Sequence, residues 1–163
     1  MEQRFLALSD GYFQQYLGRI RACVDRLDEA QVWWRPSDAC YSVGNLLLHL
    51  CGNLSQWVLS GLGGQDFERH RAAEFAARGG APKDDLMKRL AGVVDDVRAV
   101  LGVLDAADLA APRPIQGYDT DGAGVVFHVV EHMSYHTGQI VAATKQMLGP
   151  AAGIEFYPQH KSE

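Results

Sequence analysis

Three histidines in one segment are the residues of this chain best suited to chemistry. His128, His132 and His136 follow one another at steps of four in the run HVVEHMSYHTGQI. Residues four apart are neighbours on a helix surface, so His132 can bind one metal ion together with either His128 or His136. His128 and His136 are about 12 Å apart on a helix, too far to share that ion. The pattern therefore predicts half of a metal site, completed from elsewhere in the chain.

His49 is the candidate for the missing ligand. It lies among leucines in NLLLHLCGN, with Asn45 four residues before it and Asn53 four residues after it. A polar line on an apolar helix usually faces something polar, and helical bundles build metal sites from side chains on facing helices. Neutral imidazole suits zinc, nickel, copper and iron. Three protein ligands leave a coordination position open, as in catalytic sites.

The same residues also have structural interpretations. A single histidine in an apolar helix is more often a hydrogen-bonded core residue than a ligand, and histidine pairs also occur on solvated faces. Glu131 gives the order E-H-x-x-x-H rather than the H-E-x-x-H of zinc proteases, so it is predicted on the polar face. Gln139 is expected either to orient His136 or to be a surface amide. His70 and His160 are predicted on the surface.

Four long segments have helical periodicity, and they predict an all-α fold. The predicted helices are approximately 2–27, 42–60, 82–104 and 121–148. Segment 28–41 is predicted to be irregular, and 111–121 to be extended or a short hairpin. The long link 61–81 predicts a crossover between the second and third helices, with a short helix near 67–77. No domain boundary is evident, so a single domain is predicted over 1–163.

Composition limits the class of protein. With 47% hydrophobic and 21% charged residues in 163, the chain is typical of globular proteins. Its net charge of −5 argues against nucleic-acid and anionic-lipid partners. It has no long apolar run and no signal-peptide pattern, so a cytoplasmic protein without a membrane partner is predicted. Cys23, Cys40 and Cys51 form no CxxC pair and are predicted to be buried small hydrophobes.

Two segments resemble signatures of the DinB/YfiT-like superfamily of candidate metal enzymes. SVGNLLLHLCGNLSQWVLSGLGG resembles its second helix, and HVVEHMSYHTGQIVAATKQMLG its last helix. WWRP, PIQGYDTDGAGVVFHVVEH and the tail IEFYPQH also match, so the resemblance covers nearly the whole chain. It implies an up-down-down-up four-helix bundle, a homodimer and a divalent metal bound by three histidines. Carried over, the ligands are His49, His132 and His136, with His128 in a supporting or packing role.

The resemblance also implies a class of reaction. Family members of known activity resemble thiol-dependent S-transferases and isomerases that use bacillithiol, mycothiol or glutathione, with the metal activating the thiol. We therefore expect a metal-dependent enzyme that transfers a low-molecular-weight thiol to a small electrophile. Asn45, Asn53 and Tyr135 are candidates for orienting the substrate. Two alternatives are a hydrolase that uses metal-bound water, and a non-catalytic bundle that binds a small molecule or senses stress.

Overall fold

A computed structural model describes residues 1–156, which form helices and no extended strand. The all-α prediction is confirmed. The long helices are α1 (Glu2–Val24), α3 (Val43–Leu54, continued by a π-helical turn, Ser55–Ser60), α5 (Lys83–Leu101) and α7 (Gly122–Leu148). The short ones are α2 (Glu29–Trp33), α4 (Arg71–Ala76), α6 (Ala106–Ala110) and a 3₁₀ turn, Gly149–Ala152.

The four long helices pack around one hydrophobic core. Helix α1 contacts α5 and α7, and α3 contacts the same two helices. Each long helix contributes side chains that are fully buried, among them Phe13, Leu50, Leu90 and Met133. The four long helices therefore meet along their buried apolar faces. The up-down-down-up order of helix directions and the single domain over 1–163 stay predictions.

Side-chain caps determine where the two helices that carry the histidines begin. Ser42 caps α3 by accepting the N–H of Asn45, while the Asn45 side chain accepts the N–H of Ser42. This reciprocal capping box satisfies two backbone donors that the helix leaves without partners. Asp121 caps α7 by accepting the N–H of Gly124 at 2.8 Å. Both histidine-bearing helices thus start at defined residues, so each histidine lies at a fixed distance along its helix from the capped end.

Segment 28–41 was predicted to be irregular, and this prediction is wrong for its first part. Asp28 and Gln31 form a capping box that begins α2, because the spacing D-x-x-Q supplies both hydrogen bonds. The link 61–81 does hold a short helix, α4, although it is shorter than predicted.

Two predicted helices were too long. The first ends at Val24 rather than at Leu27. The third ends at Leu101 rather than at Leu104, because Asp105 and Asp108 cap a separate helix, α6. The segment 111–121 is the predicted short hairpin, with antiparallel bridges at each end.

The cysteines follow the prediction in part. Cys23 and Cys51 are buried, Cys40 is half-buried, and none forms a disulfide within the described residues. In residues 1–156, no helix has the length and apolar character needed to cross a membrane. His160 and most of the tail IEFYPQH lie outside the described residues.

Candidate metal centre

The structure brings together three of the predicted site histidines. His49 on α3 faces His132 and His136 on α7, with 3.0 Å between the Nε2 atoms of His49 and His132. One ring nitrogen from each residue lies within 4.8 Å of the other two. Two nitrogens bound to one tetrahedral zinc at about 2.1 Å would be roughly 3.4 Å apart, so this cluster fits a single ion. His49 and His136 are buried and His132 is half-buried, which makes the His132 side the open face.

A hydrogen bond to Gln139 orients the ring of His136. The Nδ1 atom of His136 lies 2.7 Å from the Gln139 Oε1 atom. Since an amide oxygen only accepts, Nδ1 carries the proton and donates it, and Nε2 keeps its lone pair. A metal-binding histidine usually donates its other ring N–H in this manner. The contact is one of the two roles that we expected of Gln139.

His49 is held by an ion pair that the sequence did not reveal. Its Nδ1 atom lies 2.9 Å from Glu74 Oε2. Arg69 binds the same carboxylate with two hydrogen bonds, from Nε to Oε1 at 2.8 Å and from Nη2 to Oε2 at 2.9 Å. The side chains of Arg69 and Glu74 are only 5% and 10% exposed. Water therefore screens little of this charge pair, which lies directly behind the site.

The Arg69 side chain also connects the site to the hairpin. Its Nη1 atom donates to Gln56 Oε1 at 3.1 Å, and Gln116 in the hairpin donates to the same oxygen. Gln116 is in the left-handed region at φ 54°, in the turn between the bridged residues Ile115 and Tyr118. The guanidinium is thus held from two sides, by Glu74 of α4 and by Gln56 of the π-helical turn, and the hairpin contacts it only through Gln56.

Burial keeps His132 and His136 in the neutral form. It lowers the pKa of His132 to about 3, and the nearby His136, His49, His128 and Arg69 add to this effect. Burial likewise lowers the pKa of His136, against a smaller raising effect of the Gln139 hydrogen bond. Neutral imidazole is the form that binds a metal.

Glu74 behaves in the opposite sense to a simple buried acid. Burial alone would raise its pKa, but hydrogen bonds from His49 and Arg69, together with the charge of Arg69, outweigh burial and lower it. The carboxylate is therefore ionised at neutral pH.

His128 lies beside the cluster rather than in it. Its ring packs on Trp57, with 4.1 Å between the ring centroids, and lies 5.3 Å from the His132 ring. The described three-histidine group includes His132 and His136 but not His128. The spacing left open whether His132 pairs with His128 or with His136, and the structure groups it with His136.

The remaining polar candidates occupy different positions. Asn45 is fully buried, and its Nδ2 atom donates to the backbone oxygens of Glu74 and Ala77, both at 2.9 Å. Asn53 is 3% exposed, and its Oδ1 atom has no hydrogen-bond partner among residues 1–156. Tyr135 is 59% exposed and packs edge-on against His136. Of these three, Asn53 has an unused polar atom and Tyr135 lies on the surface next to the site.

The residues missed by sequence reasoning come from the crossover. Arg69 and Glu74 belong to a segment, QDFERHRAAEFAARGG, rich in charges of both signs. Nothing in its spacing distinguishes Glu74 from Glu68, whose side chain is 87% exposed. The exposed location predicted for His70 agrees with its 73% exposed side chain.

Comparison with known proteins points to one family. The family model described as the DinB superfamily matches residues 12–140, well over half of the chain. A comparison with curated proteins finds no significant match.

Solved structures share the fold at low sequence identity. A conserved protein from Enterococcus faecalis has a TM-score of 0.77 at 17% identity, over 88% of this chain and 96% of its own. A DinB-like protein from Bacillus cereus has 0.66 at 16%, over 84% and 91%. A DinB-like protein from Bacillus subtilis has 0.67 at 14%, over 96% and 99%. At these identities the similarity is evidence for the fold alone.

Proposed function

Since this chain belongs to the DinB superfamily, we propose that it is a metal-dependent enzyme that transfers a low-molecular-weight thiol to a small electrophile. The observation that carries the proposal is that one ring nitrogen each of His49, His132 and His136 lies within 4.8 Å of the other two, with His132 only half-buried. Zinc, nickel or iron fits three imidazoles. A divalent ion bound there would act as a Lewis acid that lowers the pKa of a thiol beside it.

The charge around the cluster favours an anionic ligand. Imidazole binds a metal in its neutral form, so the three candidate ligands bring no negative charge, and the adjacent Glu74 carboxylate is paired with Arg69 through two hydrogen bonds. No carboxylate of the described chain joins the cluster itself. The chain therefore leaves the positive charge of a bound ion uncompensated, which stabilises a thiolate more than a neutral thiol.

Thiol transfer also requires less of the protein than hydrolysis does. A hydrolase needs a general base within reach of the attacking water. Among residues 1–156, Glu74 is the carboxylate that contacts a site histidine, and both of its oxygens already accept hydrogen bonds. We therefore prefer the transferase to the hydrolase. Asn53, with its free Oδ1 atom, is the residue that we propose orients the substrate.

The proposal is tested by metal content and thiol conjugation measured on the same preparation. Purified protein is analysed for bound metal and assayed with a panel of low-molecular-weight thiols and a chlorodinitrobenzene electrophile. We expect about one divalent ion per chain, conjugation that stops with a chelator, and loss of both in His136→Ala.

Two outcomes would favour another function. Hydrolysis of ester or amide substrates without added thiol would favour the hydrolase. Absence of metal, together with unchanged melting of a variant with all three histidines replaced by alanine, would favour a non-catalytic bundle. His70→Ala is the matched control, because this exposed histidine is outside the cluster.

We also propose that the protein is a homodimer in the cytoplasm, which light scattering and cell fractionation would test.

A further inference from the structure

Four residues outside the histidine cluster converge on the back of His49. The Glu74 carboxylate reaches His49 Nδ1, Arg69 binds both oxygens of that carboxylate, and Asn45 holds the backbone of Glu74 from α3. The fourth, Gly52, is a neighbour of His49 on the same helix. Their arrangement places one particular carboxylate against one particular ring nitrogen.

Gly52 makes room for this carboxylate. A Cβ atom at position 52 would lie 2.0 Å from Glu74 Oε1 and 3.0 Å from Arg69 Nε. Both of these are side-chain atoms, so an added methyl group would displace the ion pair rather than the backbone. Helix α3 thus accepts a glycine in its interior, at a cost in helix propensity, where the Glu74–Arg69 pair packs on it.

Two proton arrangements are compatible with the distances around His49. In the first, His49 Nδ1 donates to Glu74, and its Nε2 lone pair accepts the N–H of His132 Nε2. In the second, Arg69 Nη2, 3.0 Å from Nδ1, donates to His49, whose Nε2–H then points at His132 Nε2, also 3.0 Å away. Only the first arrangement leaves His49 Nε2 with a lone pair for a ligand. The carboxylate is the stronger acceptor for both donors, because hydrogen bonds to a charged group are the stronger ones.

We infer that Glu74 is a positioning residue that fixes His49 in the Nδ1–H tautomer, with Nε2 directed at His132 and His136. Arg69 and Gly52 hold the carboxylate in the place where it can do this. The consequence for metal affinity rests on the proposed function. A carboxylate behind a metal-binding histidine fixes the ring orientation and raises its basicity, and loss of such a partner typically weakens metal binding by about 10- to 100-fold.

The tautomer of His49 is measured on the metal-free protein by nitrogen-15 NMR of the imidazoles. We expect a protonated Nδ1 and an unprotonated Nε2 in wild type, and loss of this pattern in Glu74→Ala and Gly52→Ala. Gly92→Ala is the matched control, since Gly92 is also an interior glycine of a long helix but has open space around the added methyl group. A wild-type His49 with its proton on Nε2, or an unchanged pattern in Glu74→Ala, would overturn the inference.

Zn²⁺ affinity, measured by competition with a chromophoric chelator, gives the second readout. We expect the Kd to rise by about 10- to 100-fold in Glu74→Ala and Gly52→Ala, and to stay within threefold in Gly92→Ala. Glu74→Gln guards against misfolding, because it keeps the shape of the side chain. Its amide oxygen can still accept from His49, but its NH₂ group faces one N–H donor of Arg69. A smaller loss of Zn²⁺ affinity is therefore expected in Glu74→Gln than in Glu74→Ala.

The two readouts separate this inference from the proposed function. If wild type binds none of zinc, nickel and ferrous iron but His49 still changes tautomer with Glu74→Ala, the metal enzyme is refuted and the role of Glu74 stands. If wild type binds Zn²⁺ and all variants bind it equally, the metal site stands and the inference fails.

Discussion

Metal removal is expected to lower the thermal stability of this protein. The candidate ligands come from α3 and α7, with His49 and His132 separated by 83 residues in the chain, so one ion joins them only when the bundle is folded. A ligand that binds only the folded state, at 100 times its Kd, stabilises by about 2.7 kcal/mol. For a chain of 163 residues, each kcal/mol shifts Tm by about 2–4 °C. Saturating metal should therefore raise Tm by roughly 5–11 °C.

Circular dichroism melts of metal-free protein, with zinc, nickel or anaerobic ferrous iron added in turn, measure this shift, and a chelator should reverse it. His136→Ala should abolish most of the shift. His128→Ala should keep it, because the His128 ring packs on Trp57 beside the cluster. The reasoning is refuted if no metal changes the Tm of wild type. It is also refuted if the shift survives in His136→Ala and disappears in His128→Ala.

Three further predictions concern residues outside the histidine cluster. Burial raises the pKa of Cys51 to about 12, so native protein treated with iodoacetamide at pH 8 should be modified at the half-buried Cys40 and not at Cys51, as read by peptide mass spectrometry. A hydrogen bond from Arg98 lowers the pKa of Asp10; its stabilisation is present above the unfolded pKa of about 3.9 and lost as pH falls through the lower folded value. In denaturant melts, the free energy of unfolding of wild type should therefore fall more between pH 6 and pH 3 than that of Asp10→Asn. The difference should be less than about 1 kcal/mol for this partly exposed pair. Ser42→Ala should cost about 1 kcal/mol in the same denaturant assay, and an unchanged midpoint would contradict the capping role.

Much of the fold was predictable because its signals are local. Apolar spacing indicated the four long helices, and the predicted start of the second one, at residue 42, is where Ser42 caps α3. The errors came where a short local signal was overlooked. Two helices of five residues are capped by residue pairs three apart, Asp28 with Gln31 and Asp105 with Asp108. Such short helices contain too few residues for apolar periodicity to indicate them.

The candidate site, too, was predictable only where its signals are local in the sequence. The spacing of four residues within α7 paired His132 with one of its two neighbours, and the polar line of α3 indicated His49. By itself, the sequence thus determined the helices and the kind of ligand. Spacing alone did not distinguish His128 from His136, although the family resemblance implied His136. The tertiary structure places His136 in the cluster, because that position depends on how α7 is rotated against α3 and Trp57. It alone revealed Arg69 and Glu74, since the link between α3 and α5 has no periodicity that shows which charges fold inward.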